Sequence, residues 1–208
     1  MIVGPEWTLR PAGAADTDAL RVFLTGLSLR TRYLRFFAGV LPVTPAFLRR
    51  MSGVTAGGDL VDALVVTEDC VVIGHGMATD TRDDAGRPVT ELAVVVADEH
   101  RGRGAGSALI RALTVRAQAR GASTLLLDVL AENREMLDLV AHYFPAAGYR
   151  RSGPYLTIRV PLPAPFPDPF PAVPEEEQPC EPSIASPGDG RRGRGSVRGG
   201  AGAHLPVG

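Results

Sequence analysis

Residues Glu91–Arg120 read ELAVVVADEHRGRGAGSALIRALTVRAQAR, and this stretch decides the fold. Glu91 to Ala97 is an apolar, β-branched run, the pattern of a buried strand. His100 to Gly106 is a loop with glycines at alternate positions: Gly102, Gly104 and Gly106. From Gly104 to Arg120 the spacing predicts a helix. Arg103, Ser107, Arg111, Thr114 and Gln118 recur every three or four residues on one side. Ala105, Ala108, Leu109, Ala112, Leu113 and Ala117 recur on the other. Strand, glycine loop and helix together make an anion site. The first N–H groups of a helix have no partner within it, and the helix dipole is positive at that end. Glycines let the backbone approach a ligand with no Cβ in the way. The combination suits a phosphate, although glycine-rich turns also occur with no ligand.

Two common phosphate motifs are excluded. A P-loop ends in Gly-Lys-Ser/Thr, and the chain contains no lysine: all 22 of its basic residues are arginine. The dinucleotide fingerprint is Gly-x-Gly-x-x-Gly, whereas Gly102-Arg103-Gly104-Ala105-Gly106 brings its third glycine one residue early.

The chain has 208 residues, 45% of them hydrophobic, enough for one domain with a substantial core. A formal net charge of -1 creates no global field toward nucleic acid or membrane. Cys70 and Cys180 are far apart and suggest neither a disulfide framework nor a metal site, so no metal is expected. MIVGPEWTLRP lacks a basic segment followed by an apolar core, and no apolar run reaches membrane-span length. A cytoplasmic location is expected. Abundant Ala, Gly, Pro and Arg together fit a GC-rich coding sequence.

Outward from the central stretch, Glu6–Arg10 reads as a short first strand. Asp16 is placed to cap a helix running to about Ser28, with Leu20, Phe23, Leu24 and Leu27 on one face. Ser28 can cap a second short helix carrying Tyr33, Leu34, Phe36 and Phe37. Thr44-Pro45 is a cap followed by proline at the first helical position. Val61–Thr67 and Val71–Thr79 read as strands joined by a tight turn at Glu68-Asp69-Cys70, and Thr81–Pro88 as a polar hairpin loop. After the central unit, TLLLDVL (Thr124–Leu130) reads as a central strand. Arg134 to about Phe144 reads as a helix, and Gly148-Tyr149 and Tyr155–Val160 as closing strands.

Composition then changes. Ten of the 18 prolines fall between Pro161 and Pro187, which reads as an extended linker. RRGRGSVRGG (Arg191–Gly200) resembles segments that bind single-stranded nucleic acid, but a solvated tail is the expectation. Six acidic residues outnumber four arginines from residue 163 onward. The domain division expected is 1–162 for the folded domain and 163–208 for a disordered Pro/Gly/Arg-rich tail.

Arg101-Gly102-Arg103-Gly104-Ala105-Gly106 fits the pattern Gln/Arg-x-x-Gly-x-Gly/Ala. It resembles the acetyl-CoA loop of the GNAT superfamily of N-acetyltransferases. Further segments resemble the catalytic domain of the bacterial protein lysine acetyltransferases called Pat. They are LSLRTRYLRFF (Leu27–Phe37), TELAVVV (Thr90–Val96) and DVLAENREML (Asp128–Leu137). The likeness spans about residues 6 to 160. It implies a mixed α/β sheet of six or seven strands flanked by helices. In that family the strand before the loop and the next long strand splay apart, and acetyl-CoA lies in the wedge. The implied cofactor residues are Val94, Val95 and Val96 on the strand, Arg101, Gly102, Arg103, Gly104, Ala105, Gly106 and Ser107 in the loop, and Asn133. Asn133 equally suits a helix cap.

The implied reaction is attack of an amine on the acetyl thioester, most readily a protein lysine side chain. A small-molecule amine is an alternative acceptor, and a non-catalytic acetyl-CoA-binding regulator is a third reading. An alkylammonium has a reference pKa of about 10.4, so a base must take its proton. Glu91 is the candidate base, against the alternative of a surface carboxylate at a strand start. Many family members place a tyrosine acid seven residues after the asparagine. Here that position is Val140, and Tyr143 is the substitute one turn later, with a core role as its alternative. His75 reads as structural and His100 as solvated, and nothing marks Cys70 as a nucleophile.

Overall fold

The apolar run before the glycine loop is longer than its composition suggests. In a computed structural model describing residues 7–54 and 61–162, it becomes strand β4, Pro88–Val96. The extension arises because β3, Val71–Arg82, runs antiparallel beside it and pairs Arg82 with Pro88. Proline is tolerated there as the first strand residue. Glu91, expected to open the strand, therefore lies inside it, and Ala97 lies just beyond its end.

Three earlier elements complete that side of the sheet. β1 is Thr8–Pro11 and β2 is Val61–Glu68. The β2–β3 turn is Asp69-Cys70, both with left-handed φ (48° and 65°), the two-residue hairpin geometry that glycine normally supplies. On the other side come β5, Thr124–Leu130, then β6, Gly148–Ser152, and β7, Tyr155–Pro161. The seven strands lie in the order β1-β2-β3-β4-β5-β7-β6. Every neighbouring pair is antiparallel except β4 and β5.

Helices cover both faces. α4, Ala105–Ala119, and α5, Arg134–Tyr143, pack on one, where Leu109, Ile110, Leu113 and Val140 are fully buried. A Cβ on Gly76 would come within 2.8 Å of Leu113 Cδ1 and 3.2 Å of Val94 Cγ1, so α4 packs closely on β3 there and a side chain would make Leu113 shift. Thr114, expected on the polar side of α4, is buried. Its hydroxyl is satisfied by donating to the Ile110 carbonyl at 2.7 Å. The opposite face carries α1, Thr17–Gly26, α2, Leu29–Phe36, and α3, Pro45–Met51. Leu20, Phe23, Leu24 and Leu27 are buried there as the periodicity predicts. Ser28 and Thr44 cap α2 and α3 by accepting from Thr31 N and Phe47 N. Asp16 does not cap α1. Its carboxylate takes Arg10 at 2.6 Å and the Gly13 N–H at 2.8 Å instead. Glu6, Cys180 and the 163–208 segment lie outside the described residues.

His75 of β3 is fully buried. Its Nε2 lies 2.8 Å from the Met51 carbonyl, so Nε2–H donates. Burial pulls its pKa down from 6.5 to about 4, with the Met51 carbonyl opposing and the Arg35 charge assisting. The unfolded chain takes up the proton near 6.5, whereas the folded ring resists until about 4. Stability is therefore complete above pH 6.5 and falls as pH drops toward about 4, by roughly 3 kcal/mol. Asp16 and Asp98, both held below the ordinary 3.8, lose their contributions only at lower pH. Urea midpoints at about pH 7 and about pH 4.5 should show this loss in the wild type and much less in His75→Gln. Equal losses in both would contradict the assignment.

Candidate active site

β4 and β5 pair only at Thr90–Leu125 and Glu91–Leu126. Beyond that point β4 continues to Val96 and β5 to Leu130 with no further pairing between them. The parting opens a cavity of about 770 Å³ between the two strands, the glycine loop, α2 and α5. The β4 register fixes what faces it. Ala97 N–H donates to Ile73 across the β3 side at 2.9 Å. In an antiparallel ladder successive residues turn their backbone groups to opposite neighbours. Ala93 and Val95 therefore serve β3, and Val94 and Val96 turn their N–H and C=O toward β5, into the gap. An extended ligand arm laid in the gap can bond to them as a surrogate strand.

The mouth of the cavity is the start of α4. Gly104 is its N-cap, at φ 86°, and has no side chain to cap the helix. The first helical bond is Ala108 N–H to Gly104 C=O at 3.0 Å, which leaves the N–H groups of Ala105, Gly106 and Ser107 without intrahelical partners. All three residues line the cavity. A Cβ at Gly106 would stand 3.8 Å from both Val96 Cγ2 and Leu139 Cδ2, between β4 and α5. The missing side chain is what keeps this end of the gap clear. The donors, the dipole and the slot suit a phosphate-bearing ligand with a long, thin arm.

The expected residues are mostly gathered here. Val94, Val95, Val96, Arg101, Gly102, Gly104, Ala105, Gly106, Ser107, Asn133 and Glu91 line the cavity. Arg101 is tethered at its mouth, 3.1 Å from Asp98 and 3.2 Å from Glu135 on α5. Asn133 caps α5 by accepting from Met136 N at 3.3 Å, so its Nδ2 is the part free to meet a ligand. Glu91 is exposed on the α2 face of the sheet.

Two residues lie elsewhere. Arg103 turns away from the cavity and grips Glu68 at the end of β2, with Nη1 also 3.0 Å from His100 Nδ1. Its carbonyl accepts from Trp7 Nε1 at 3.2 Å. A carboxylate and an imidazole already in place out-compete an outward pose, so Arg103 braces the loop from behind. The Arg103 guanidinium beside Glu68 holds that carboxyl below its ordinary range. His100, expected to be solvated, is half-buried in this cluster, 3.1 Å from Glu68. Tyr143 stands edge-on to His142, 5.9 Å from the Arg111 guanidinium, and does not line the cavity, whereas His142 does.

Sequence reasoning missed the α2 wall. Thr31, Leu34 and Arg35 face the cavity at helical spacing. Thr31 Oγ1 donates to Asp98 at 2.8 Å and accepts from Arg101 at 2.6 Å, docking α2 onto the loop. Burial would raise the Asp98 pKa, but hydrogen bonds from Thr31 and Ser28 and the Arg101 charge bring it down. Asp128 on β5 was also missed; it lines the cavity and accepts from Thr157 Oγ1 at 2.7 Å. The available signal was polar residues placed within otherwise apolar stripes of α2 and β5.

Known proteins share this fold. The fold superposes on the GNAT domain of Streptomyces lividans PAT (TM-score 0.63, 24% identity, 74% of this chain and 89% of that one). It also matches a GCN5-related N-acetyltransferase from Kribbella flavida (TM-score 0.61, 21% identity, 76% and 98%). A third match is yncA from Salmonella typhimurium, solved with its cofactor acetyl-CoA (TM-score 0.56, 19% identity, 81% and 98%). These identities speak to the fold alone. A curated Bacillus subtilis relative, the uncharacterized N-acetyltransferase YobR, is 48% identical over 46 residues, 22% of this chain and 19% of its own length. No helix among the described residues is long and apolar enough to cross a membrane. The model of the acetyltransferase (GNAT) family matches residues 31–144, more than half of the sequence, and the chain belongs to that family.

Proposed function

We propose that this chain transfers the acetyl group of acetyl-CoA to an amine, most readily a protein lysine side chain, with Glu91 as general base. The observation that carries the reading is the parting of β4 from β5 one step after Glu91, with the uncapped start of α4 at its mouth. The donor's pyrophosphate suits the Ala105, Gly106 and Ser107 N–H groups. Its pantetheine arm suits the backbone of Val94 and Val96 and the Nδ2 of Asn133.

The acceptor enters from the α2 face, where Glu91 is exposed. Its ammonium must lose a proton before nitrogen can attack, and Glu91 takes that proton. A new C–N bond then forms as the C–S bond breaks. Charge gathering on the acyl oxygen meets the Val94 N–H, which points into the gap. The thiolate leaves unassisted or takes a proton from water, since Tyr143 stands outside the cavity wall. Acetylome mass spectrometry of a deletion strain beside its parent tests the acceptor class. Loss of specific lysine acetylations supports the reading, and an unchanged acetylome counts against a protein acceptor.

One result follows from composition. Lysine acetyltransferases often modify themselves, but this chain has no lysine. Incubated with acetyl-CoA and carrying a lysine-free tag, it should gain at most one hydroxylamine-resistant acetyl group, at the α-amine. Intact-mass spectra with several such additions would contradict this.

A further inference from the structure

Among the described residues, no carboxylate balances Arg35, a cation in the cavity wall. It shares with Thr31 and Leu34 the stripe of α2 that faces the cavity. Its Nε is fully buried and has no hydrogen-bond partner. Its guanidinium carbon lies 4.7 Å from the centre of the Phe36 ring, a contact that eases the charge without neutralising it. The neighbouring arginines differ: Arg101 has Asp98 and Glu135, and Arg103 has Glu68. Burial pulls Arg35 down to about 10, still far above neutral pH, so it stays charged.

His75 is close enough to feel that charge. With Nε2–H on Met51, its Nδ1 is a buried, unpaired acceptor. That lone pair carries no formal charge. It cannot supply the missing negative charge. A buried, unpaired cation is costly, and such costs cluster where a site uses them.

The rest of the wall indicates the counter-charge. Glu91 pairs with Leu126, and Asp128 is two residues farther along β5, so both carboxylates project from one face. His75 pairs with Val95, which shares that face with Glu91, and Arg35 faces the same cavity from α2. The cavity thus carries two carboxylates, Glu91 and Asp128, on its sheet side and one cation, Arg35, on its α2 side.

We propose that the acceptor is a zwitterion, whose amine faces Glu91 and Asp128 while a carboxylate on the same molecule seats on Arg35. This rests on the acetyl-transfer reading of the cavity. The carboxylate comes from a free amino acid or from an acidic residue beside an acceptor lysine; its chemistry at Arg35 is the same.

The test compares amines that differ only in the carboxylate: aminohexanoate with aminohexanamide, lysine with lysine amide, and a lysine peptide bearing a neighbouring Glu with its Gln counterpart. The wild type should favour the acid of at least one pair by roughly 10- to 150-fold in kcat/KM. Which pair responds identifies the source. Arg35→Gln should erase the preference, Arg35→Lys should keep part of it, and calorimetric acetyl-CoA affinity should stay unchanged in both. No preference in any wild-type pair, or an equal loss on both members in Arg35→Gln, overturns the proposal. If the wild type acetylates no amine, the transferase reading fails separately. The proposal is then decided by melting temperature, which the acids should raise in the wild type but not in Arg35→Gln; no rise in the wild type overturns it. Arg35→Met checks the premise, because removing an unbalanced buried charge should hold or raise the melting temperature. A marked fall overturns the premise.

Discussion

Glu91→Gln should lower turnover by about 10²–10⁴-fold, the range that general-base catalysis contributes, while acetyl-CoA affinity hardly changes. Glu91 is exposed in β4 and its backbone is held by the β3 ladder, so the substitution preserves the strand and the shape of the wall. What it removes is the proton acceptor. Calorimetry with acetyl-CoA separates this from a binding defect, because the donor-facing groups on Val94, Val96 and the start of α4 are untouched. Full activity in Glu91→Gln would take the residue out of the mechanism and point to a base acting through water.

Gly104→Val should abolish acetyl-CoA binding. Two effects combine. The residue sits at φ 86°, where an L side chain costs roughly 1–2 kcal/mol and a β-branched one more. Its Cβ would also stand at the N-cap of α4, beside the open N–H groups. The nearest protein atom to that Cβ is Trp7 Cζ2 at 3.9 Å, so the fold has room and the ligand does not. The calorimetric heat should disappear, and acetyl-CoA should no longer raise the melting temperature, which a ligand selective for the native state otherwise does. Unchanged binding in Gly104→Val would remove the loop from the donor site.

Much of this was readable from local pattern. β-branched runs marked β4 and β5, glycines marked the loop, and Ser28 and Thr44 marked the helix starts, because each is a property of a few adjacent residues. What escaped was decided by partners far away in sequence. Glu91 moved into the strand interior because β3 continues to Arg82. Arg103 turned from the expected phosphate because Glu68, 35 residues earlier, arrives at the end of β2. The α2 wall was invisible for the same reason. Thr31 and Arg35 acquire a role only when Asp98, 67 residues beyond Thr31, docks that helix on the loop. Tyr143 looked close to the expected acid by helical spacing, yet neither it nor Val140 lines the cavity: Val140 is buried in the core and Tyr143 turns toward Arg111.

Acetyl transfer is measured most directly by following free thiol and amide product together, with this chain, acetyl-CoA and either a lysine-containing protein extract or a panel of amines. Acetyl-CoA should bind, thiol should be released only when an amine acceptor is present, and each thiol should be matched by one acetyl group on acceptor nitrogen. Tight acetyl-CoA binding with no amine-dependent thiol release from any acceptor would contradict acetyl transfer, and would show a protein that holds the donor without using it.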